Sequence, residues 1–262
     1  AFPVAYGIIM TGLFFVTAML FGLIMRGVAF EFRFKSSSRR HVWDTFFFVG
    51  SVVATFSQGI MLGALVQGLE ASNRLYTGGP FDWLTPFSIV CGFAMIIGYA
   101  LLGSTWLIIK TEHTLQVWAR QVSRWMLTAL LVAMVVVTAF MYFSDIDALE
   151  GWFSFPDLLY LAPMPIIVML LFFIMRKDLK TEREYRPFLL TVALFLMGYI
   201  GVCFALFPYI VPYQMTIYEA AAADTSLSFM LIGACIMLPI ILSYTAFAYY
   251  TFKGKSDHNP MY

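Results

Sequence analysis

Seven stretches of this chain are long and apolar enough to cross a hydrocarbon layer, and that spacing leaves few folds open. A layer about 30 Å thick takes about 20 apolar residues in a helix. Runs over 2–25, 45–69, 86–109, 126–143, 158–175, 187–211 and 227–251 meet or approach that length. None shows the alternation, over about ten residues, of a membrane β-barrel strand. The fold class expected is all-α: a polytopic helical membrane protein, with residues 1–262 forming one integral membrane domain. Composition agrees. Charged residues make up 12% of the chain and hydrophobic ones 61%, with a mean hydropathy of +0.83. A soluble domain carries about 25% charged residues, so this chain lacks the polar surface to dissolve one.

The connections predict which way the helices run. After the odd-numbered runs come Arg26, Arg33, Lys35, Arg39 and Arg40, then Lys110, Arg120 and Arg124, then Arg176, Lys177, Lys180, Arg183 and Arg186, and finally Lys253 and Lys255. The even-numbered connections hold one base, Arg74, against the acids Glu70, Asp82, Asp145, Asp147, Glu150, Asp157, Glu219 and Asp224. Bases concentrate on the cytoplasmic side of membrane proteins. That bias predicts an outward-facing N-terminus and a cytoplasmic C-terminus. Leu115, Trp118, Val122 and Trp125 share one helical face, which predicts either a short interfacial helix or an early start to the fourth span. The loops "YTGGPFDWLTPF" and "FPYIVPY" read as tight aromatic turns at the outer interface.

The spans limit the chemistry. His41, His113 and His258 all fall in connections or the tail, so a histidine-ligated haem at membrane depth is not expected from this chain. The sixteen methionines read as packing material. Cys91, Cys203 and Cys235 lie in apolar runs and read as small core residues. The seventh run has no lysine, which excludes a retinal Schiff base. No span holds a charge at mid-depth, where transporters and proton pumps usually need one. Gln58 is the best polar candidate near mid-membrane, either as an interhelical hydrogen bond or as a quinone or proton-path group. Pro239 interrupts the last run and frees the carbonyl of Cys235. No catalytic, cofactor-binding or metal-binding residue is assigned, and no nucleic-acid partner is expected.

Three segments carry a family resemblance: "FGLIMRGVAFEFR" (21–33), "YTGGPFDWLTPFSIVCGFAMIIGYALLGSTWLIIKTE" (76–112) and "LPIILSYTAFAYYTFKGK" (238–255). Together they resemble subunit II of the cytochrome bd-type quinol oxidases, in order and over essentially the whole chain. The first segment is nearer the cyanide-insensitive branch. The resemblance implies a haem-free structural subunit of the bacterial cytoplasmic membrane. Its partner would be a haem-bearing subunit I that holds haems b and d, oxidises quinol and reduces oxygen to water. The lipid bilayer and a small single-helix accessory subunit are the other partners it implies. Members of the family have about nine helices, so a chain of seven that opens on "AFPVAYG" reads as lacking two at its N-terminus.

The stretch "RGVAFEFRFKSSSRR" (26–40) is the densest concentration of charge in the chain. Its bases suit lipid headgroups. Glu31 does not, and in the alternation "FEFRFK" it reads as part of an extended strip whose acid is paired with Arg26 or Arg33. Arg26, Glu31, Arg33 and Gln58 are therefore the candidate subunit-contact or proton-route residues. Two other functions remain open on the residues alone. A small-solute transporter or channel would need paired discontinuous helices, which are not seen. A seven-helix receptor has only the helix count in its favour.

Overall fold

The structure, a computed structural model, describes residues 1–12, 15–36, 39–72, 74–143, 163–181 and 183–255. Asp145, Asp147, Glu150, Asp157, residues 158–162 and His258 lie outside them. The described helices are α1 (Pro3–Gly12), α2 (Val16–Lys35), α3 (Arg40–Gln67), α4 (Pro86–Lys110), α5 (His113–Phe143), α6 (Pro163–Asp178), α7 (Arg186–Leu206), the one-turn α8 (Ile217–Ala220) and α9 (Asp224–Thr251). Two small antiparallel hairpins interrupt them: β1 (Ala71–Ser72) with β2 (Leu75–Tyr76), and β3 (Tyr209–Val211) with β4 (Met215–Thr216).

Among the described residues, α3, α4, α5, α7 and α9 are each long and apolar enough to cross a membrane. A sixth span is counted only if α1 and α2 are taken together, and those two meet at a bend of 78°. The expected straight helix over 2–25 is therefore broken, and α2 carries on to Lys35. The expected span over 158–175 is represented by α6, 16 residues long. The all-α membrane fold holds; the exact count of seven goes beyond what these helices show.

Local sequence explains several boundaries. Pro86 occupies the first turn of α4, where its missing N–H costs nothing, and Thr85 and Ser88 cap each other reciprocally ahead of it. At the far end of α3, Gly68 takes φ +95°, a conformation that side chains resist, and turns the chain toward β1. The helix in the run 187–211 ends early, at Leu206. The run's last residues, from Tyr209, leave the helix and pair with β4. The fourth span resolves as an early start, since α5 is continuous from His113. Trp118 and Trp125 project outward from it, 54% and 69% exposed. The last helix runs unbroken through Pro239.

Packing differs along the chain. From α2 through α4 the helices meet almost backbone to backbone. A Cβ on Gly22 would lie 2.7 Å from the Gly50 carbonyl oxygen, and one on Gly59 would lie 2.5 Å from that of Cys91. A Cβ on Gly92 would strike the Phe56 ring. These close approaches are how small residues hold membrane helices together, since lipid offers no hydrophobic drive between helices. From α4 through α7 the helices share a core of larger side chains, including Leu101, Ile108, Leu127, Phe172, Met175 and Leu194. At the acidic end, α1 and the two hairpins form a separate small core around Ala5, Ile8, Val211 and Ala220. Of the aromatic loops read as turns, 207–213 forms most of the β3–β4 hairpin, while 76–87 gives only Tyr76 to β2 and then turns into α4.

Candidate functional site

Residues 26–35 are helix, where an extended strip was expected over "FEFRFK". Arg26, Glu31, Arg33 and Lys35 all belong to α2, because "VAFEFRFK" continues the turns of the preceding apolar run with no proline or glycine to stop them after Gly27. The helical period of 3.6 residues separates what alternation would have aligned. Phe32 stacks on Trp43 of α3 at 5.1 Å, while Phe30 and Phe34 meet each other edge to face at 5.5 Å and point outward. Arg26 lies over the Phe47 ring at 5.3 Å. Arg33 pairs with Asp44, its Nε 2.5 Å from Oδ1, each side chain about half exposed. Glu31 is exposed and, among the described residues, makes no ion pair. The pairing expected between Glu31 and Arg26 or Arg33 is thus not made among the described residues. Asp44, which the sequence reading passed over, is the partner that Arg33 takes.

Gln58 is half-buried on α3, and among the described residues its amide finds no protein hydrogen bond. The interhelical bond that was one of its two readings is not made among the described residues. Next to it Ser57 is buried and bonds back to the Val53 carbonyl at 2.6 Å. Gln58, Arg26, Glu31 and Arg33 therefore do not converge on a common centre.

The basic end of the bundle holds the polar groups that do converge. Asp178, at the end of α6, is 3% exposed, with Arg183 at 3.6 Å and Arg186 at 3.2 Å. Its Oδ2 is out of line for a hydrogen bond to Arg186. From α5, the buried Arg120 donates to the Arg183 carbonyl, in the α6–α7 connection, at 3.0 Å, and Arg124 donates to the Leu179 carbonyl just past the end of α6 at 2.8 Å. Deeper in, the Ser104 and Ser123 hydroxyls lie 2.9 Å apart and those of Thr105 and Thr191 3.4 Å apart, tying α4 to α5 and to α7. Glu184 accepts from Gln116 at 3.0 Å and from Lys255 at 2.8 Å. Those two bonds hold the Glu184 carboxyl below its ordinary value, and the same contact raises Lys255. Sequence reading missed this cluster. A faint signal was present: Asp178 is a lone acid inside "MRKDLK", a context in which bases would otherwise repel.

His41 and His113 stand in the first turns of α3 and α5, at helix ends rather than in loops, and both are exposed. Cys91 is half-buried against Gly63, while Cys203 and Cys235 sit on exposed faces rather than in a core. Among the described residues, no three His, Cys, Asp or Glu side chains come together as a metal would require.

Such an arrangement defines a class: a polytopic helical membrane protein whose described polar clusters brace helix ends. Its family follows from comparison. The chain belongs to the family of cytochrome bd terminal oxidase subunit II, whose sequence profile matches residues 1–252. It is 26% identical to a probable cytochrome oxidase subunit 2 of Haemophilus influenzae, covering 99% of this chain and 78% of that protein. It is 25% identical to cytochrome bd ubiquinol oxidase subunit 2 of Bacillus subtilis, over 98% of this chain and 78% of the relative. Cytochrome bd-I ubiquinol oxidase subunit 2 of Escherichia coli is 26% identical over 97% and 77%. The fold is similar to a chain in the bd oxidase structure from Geobacillus thermodenitrificans, with a TM-score of 0.70 at 15% identity, covering 92% of this chain and 74% of that one.

Proposed function

We propose that this chain is the haem-free scaffold of a terminal quinol oxidase in a bacterial cytoplasmic membrane. It packs against a haem-bearing subunit I that holds haems b and d, oxidises quinol and reduces oxygen. The observation that carries the reading is the family match over residues 1–252. The polar groups support it, because they are engaged in bracing helices and leave catalysis to a partner. Seven spans are proposed, with α2 as the first and α6 completing the fifth. The charge asymmetry supports an orientation with Glu70, Asp82 and Glu219 outside and the basic ends cytoplasmic.

Under that orientation the depth of Arg26 follows from helix length. Counting about 20 residues back from Gln67 brings α3 to the opposite boundary of the apolar layer near Phe47. Arg26, stacked on Phe47, lies at that boundary, and α2 beyond it projects into the headgroups together with the start of α3. Arg26, Glu31, Arg33 and the unsatisfied amide of Gln58 are proposed as contacts to the partner or as elements of a proton route. The exposed position of Glu31 supports a group whose partner lies on another chain. The "RGVAFEFR" segment supports a place near the cyanide-insensitive branch, and a small accessory helix is proposed as a third component.

Purification in mild detergent tests the reading. A co-purifying haem protein with a Soret band and quinol-dependent oxygen uptake is expected. A colourless chain that moves solute across liposomes would instead make it a transporter or channel. Residual oxygen uptake in cyanide tests the branch. Orientation is read by an impermeant thiol reagent on intact cells, with Ser72→Cys labelled and Gln121→Cys protected. For the proposed contacts, Arg26→Ala and Glu31→Ala are expected to lower assembled haem content more than turnover per haem. Normal assembly with depressed turnover would turn Glu31 into a proton-route residue.

A further inference from the structure

The last helix presents a problem of support. None of the 28 residues of α9 is buried, although the helix is more apolar than α3 or α4. A helix in lipid gains nothing from apolar contact alone, because lipid is as apolar as leucine. Along its body the described ring contact is that of Tyr249, edge-on to Trp106 of α4 at 5.8 Å.

Its basic end is different. Lys110, the last residue of α4, donates to the carbonyls of Phe252 at 2.5 Å and Gly254 at 3.1 Å. Both α4 and α9 end here, each with unsatisfied carbonyls and the negative pole of its dipole, so one ammonium serves two helix termini. Three residues on, Lys255 reaches Glu184 at 2.8 Å and Glu112 at 3.5 Å. Gln116 fixes Glu184 from the other side while donating to the Ile108 carbonyl at 2.9 Å. The tail is thus bound at once to the α4–α5 turn and to the α6–α7 connection, the two connections whose helices share the large side-chain core.

We propose that Lys110 and Lys255 are positioning residues forming an ionic latch with Glu112, Glu184 and Gln116, and that this latch seats α9 from its basic end. The open faces of α9 are then oriented by polar contacts outside the apolar layer, not by packing within it. Each exposed ion pair is weak. The latch acts because its contacts are joined through one short segment, so that loss of any one loosens the rest. This inference does not depend on the oxidase reading, and its test reads exchange instead of turnover.

Hydrogen–deuterium exchange of the purified complex decides it. Lys255→Gln, Glu184→Gln and Lys110→Gln are each expected to speed exchange of the amides over 247–255 by about fivefold, leaving the peptides of α3 and α4 unchanged. The double variant Lys255→Gln with Glu184→Gln should exchange no faster than the faster of its two single variants. Unaltered exchange in the single variants overturns the latch. So does an additive increase in the double, or an increase shared by α3 and α4.

Discussion

The α2–α4 layer and the last helix are both apolar enough to live in a membrane, yet they are held by opposite means. In the most apolar window of α3, 44% of residues are buried inside the chain, and in that of α4, 33%. The corresponding windows of α5 and α7 bury 6% and 11%, and that of α9 buries none. Hydropathy runs opposite to burial, 1.7 and 1.9 for the buried pair against 2.3, 2.4 and 2.2 for α5, α7 and α9, so greater apolarity does not bring greater burial. What lets the buried pair pack is small side-chain volume at the contact face. Gly22, Gly50, Gly59, Gly63 and Gly92 allow backbones to touch, whereas α9 offers Phe229, Ile232, Ile236, Ile240 and Tyr244 along its length. Apolarity places a helix in the bilayer; small residues decide whether it finds a neighbour within its own chain.

The sharpest way to break this comparison is to add volume on each side. Gly59→Leu drives a side chain into the α4 backbone, and overpacking of this kind costs about 1–3 kcal/mol or more. Since the obstacle at 2.5 Å is the Cys91 carbonyl, which cannot swing aside, the upper part of that range is expected. The measurement is thermal inactivation and haem-containing yield of the purified complex. Gly198→Leu in α7 and Gly233→Leu in α9, where nothing lies within 4 Å of the added Cβ, should change stability by less than about 0.5 kcal/mol. Equal losses at Gly59 and Gly198 would show that the glycines matter for some reason other than close approach.

A smaller effect sharpens the middle of the molecule. Asp178→Asn removes the buried charge that Arg183 and Arg186 share. A loss of about 1–3 kcal/mol is expected in detergent melts. The loss is bounded because both partner arginines are half exposed and can return to water. Smaller still is the coupling between Ser104 and Ser123. A double-mutant cycle to alanine should return about 0.6 kcal/mol, the average for such bonds between membrane helices. A coupling of zero would mean that each hydroxyl is content with its own helix carbonyl, at Leu101 and Ala119.

The least effect is expected from pH at the tail. Glu184 is held below its usual carboxyl value by Lys255 and Gln116, so its contribution is complete above the unfolded value near 4.5 and fades as pH falls through the lower folded value. Lys255 is raised, so its contribution is complete below the unfolded value near 10.5 and fades above it. Exchange of the 247–255 amides should therefore be flat across neutral pH, once corrected for intrinsic rate. It should accelerate only in acid below the ordinary carboxylate range or in strong alkali. A change between pH 6 and pH 8 would be out of register with both groups.

How much could be read in advance differs from residue to residue. The helix beginning at Pro86 was legible because Thr85, Pro86 and Ser88 are local signals, resolved within one turn. The helical state of 26–35 was not. Alternation of Phe with charge over so few residues fits a strand as well as a helix, and only the unbroken turns arriving from Val16 decide between them. The 78° break within 2–25 escaped for the reverse reason, since hydropathy averages over a window and registers no change of direction. Gln58 and Glu31 were legible as unusual but not as unpartnered. The Arg33–Asp44 pair joins residues eleven apart and the Lys255–Glu184 pair residues seventy-one apart, separations at which composition says nothing about contact.

By itself, the sequence determined that this chain lives in a membrane, that it is built of helices, and that its bases gather at one end of them. Those are properties of each segment's own transfer from water to lipid and need no neighbour. It also carried the family, through short runs such as "RGVAFEFR" whose residues need only be present in order. Tertiary structure alone decided which helices touch, that Asp178 is enclosed by arginines from beyond its own helix, and that α9 is fastened at its end and not along its face. Apolar periodicity cannot make those choices, because inside a bilayer every outward face is equally satisfied by lipid. Contact there is settled by shape and by the few polar groups that must find a partner.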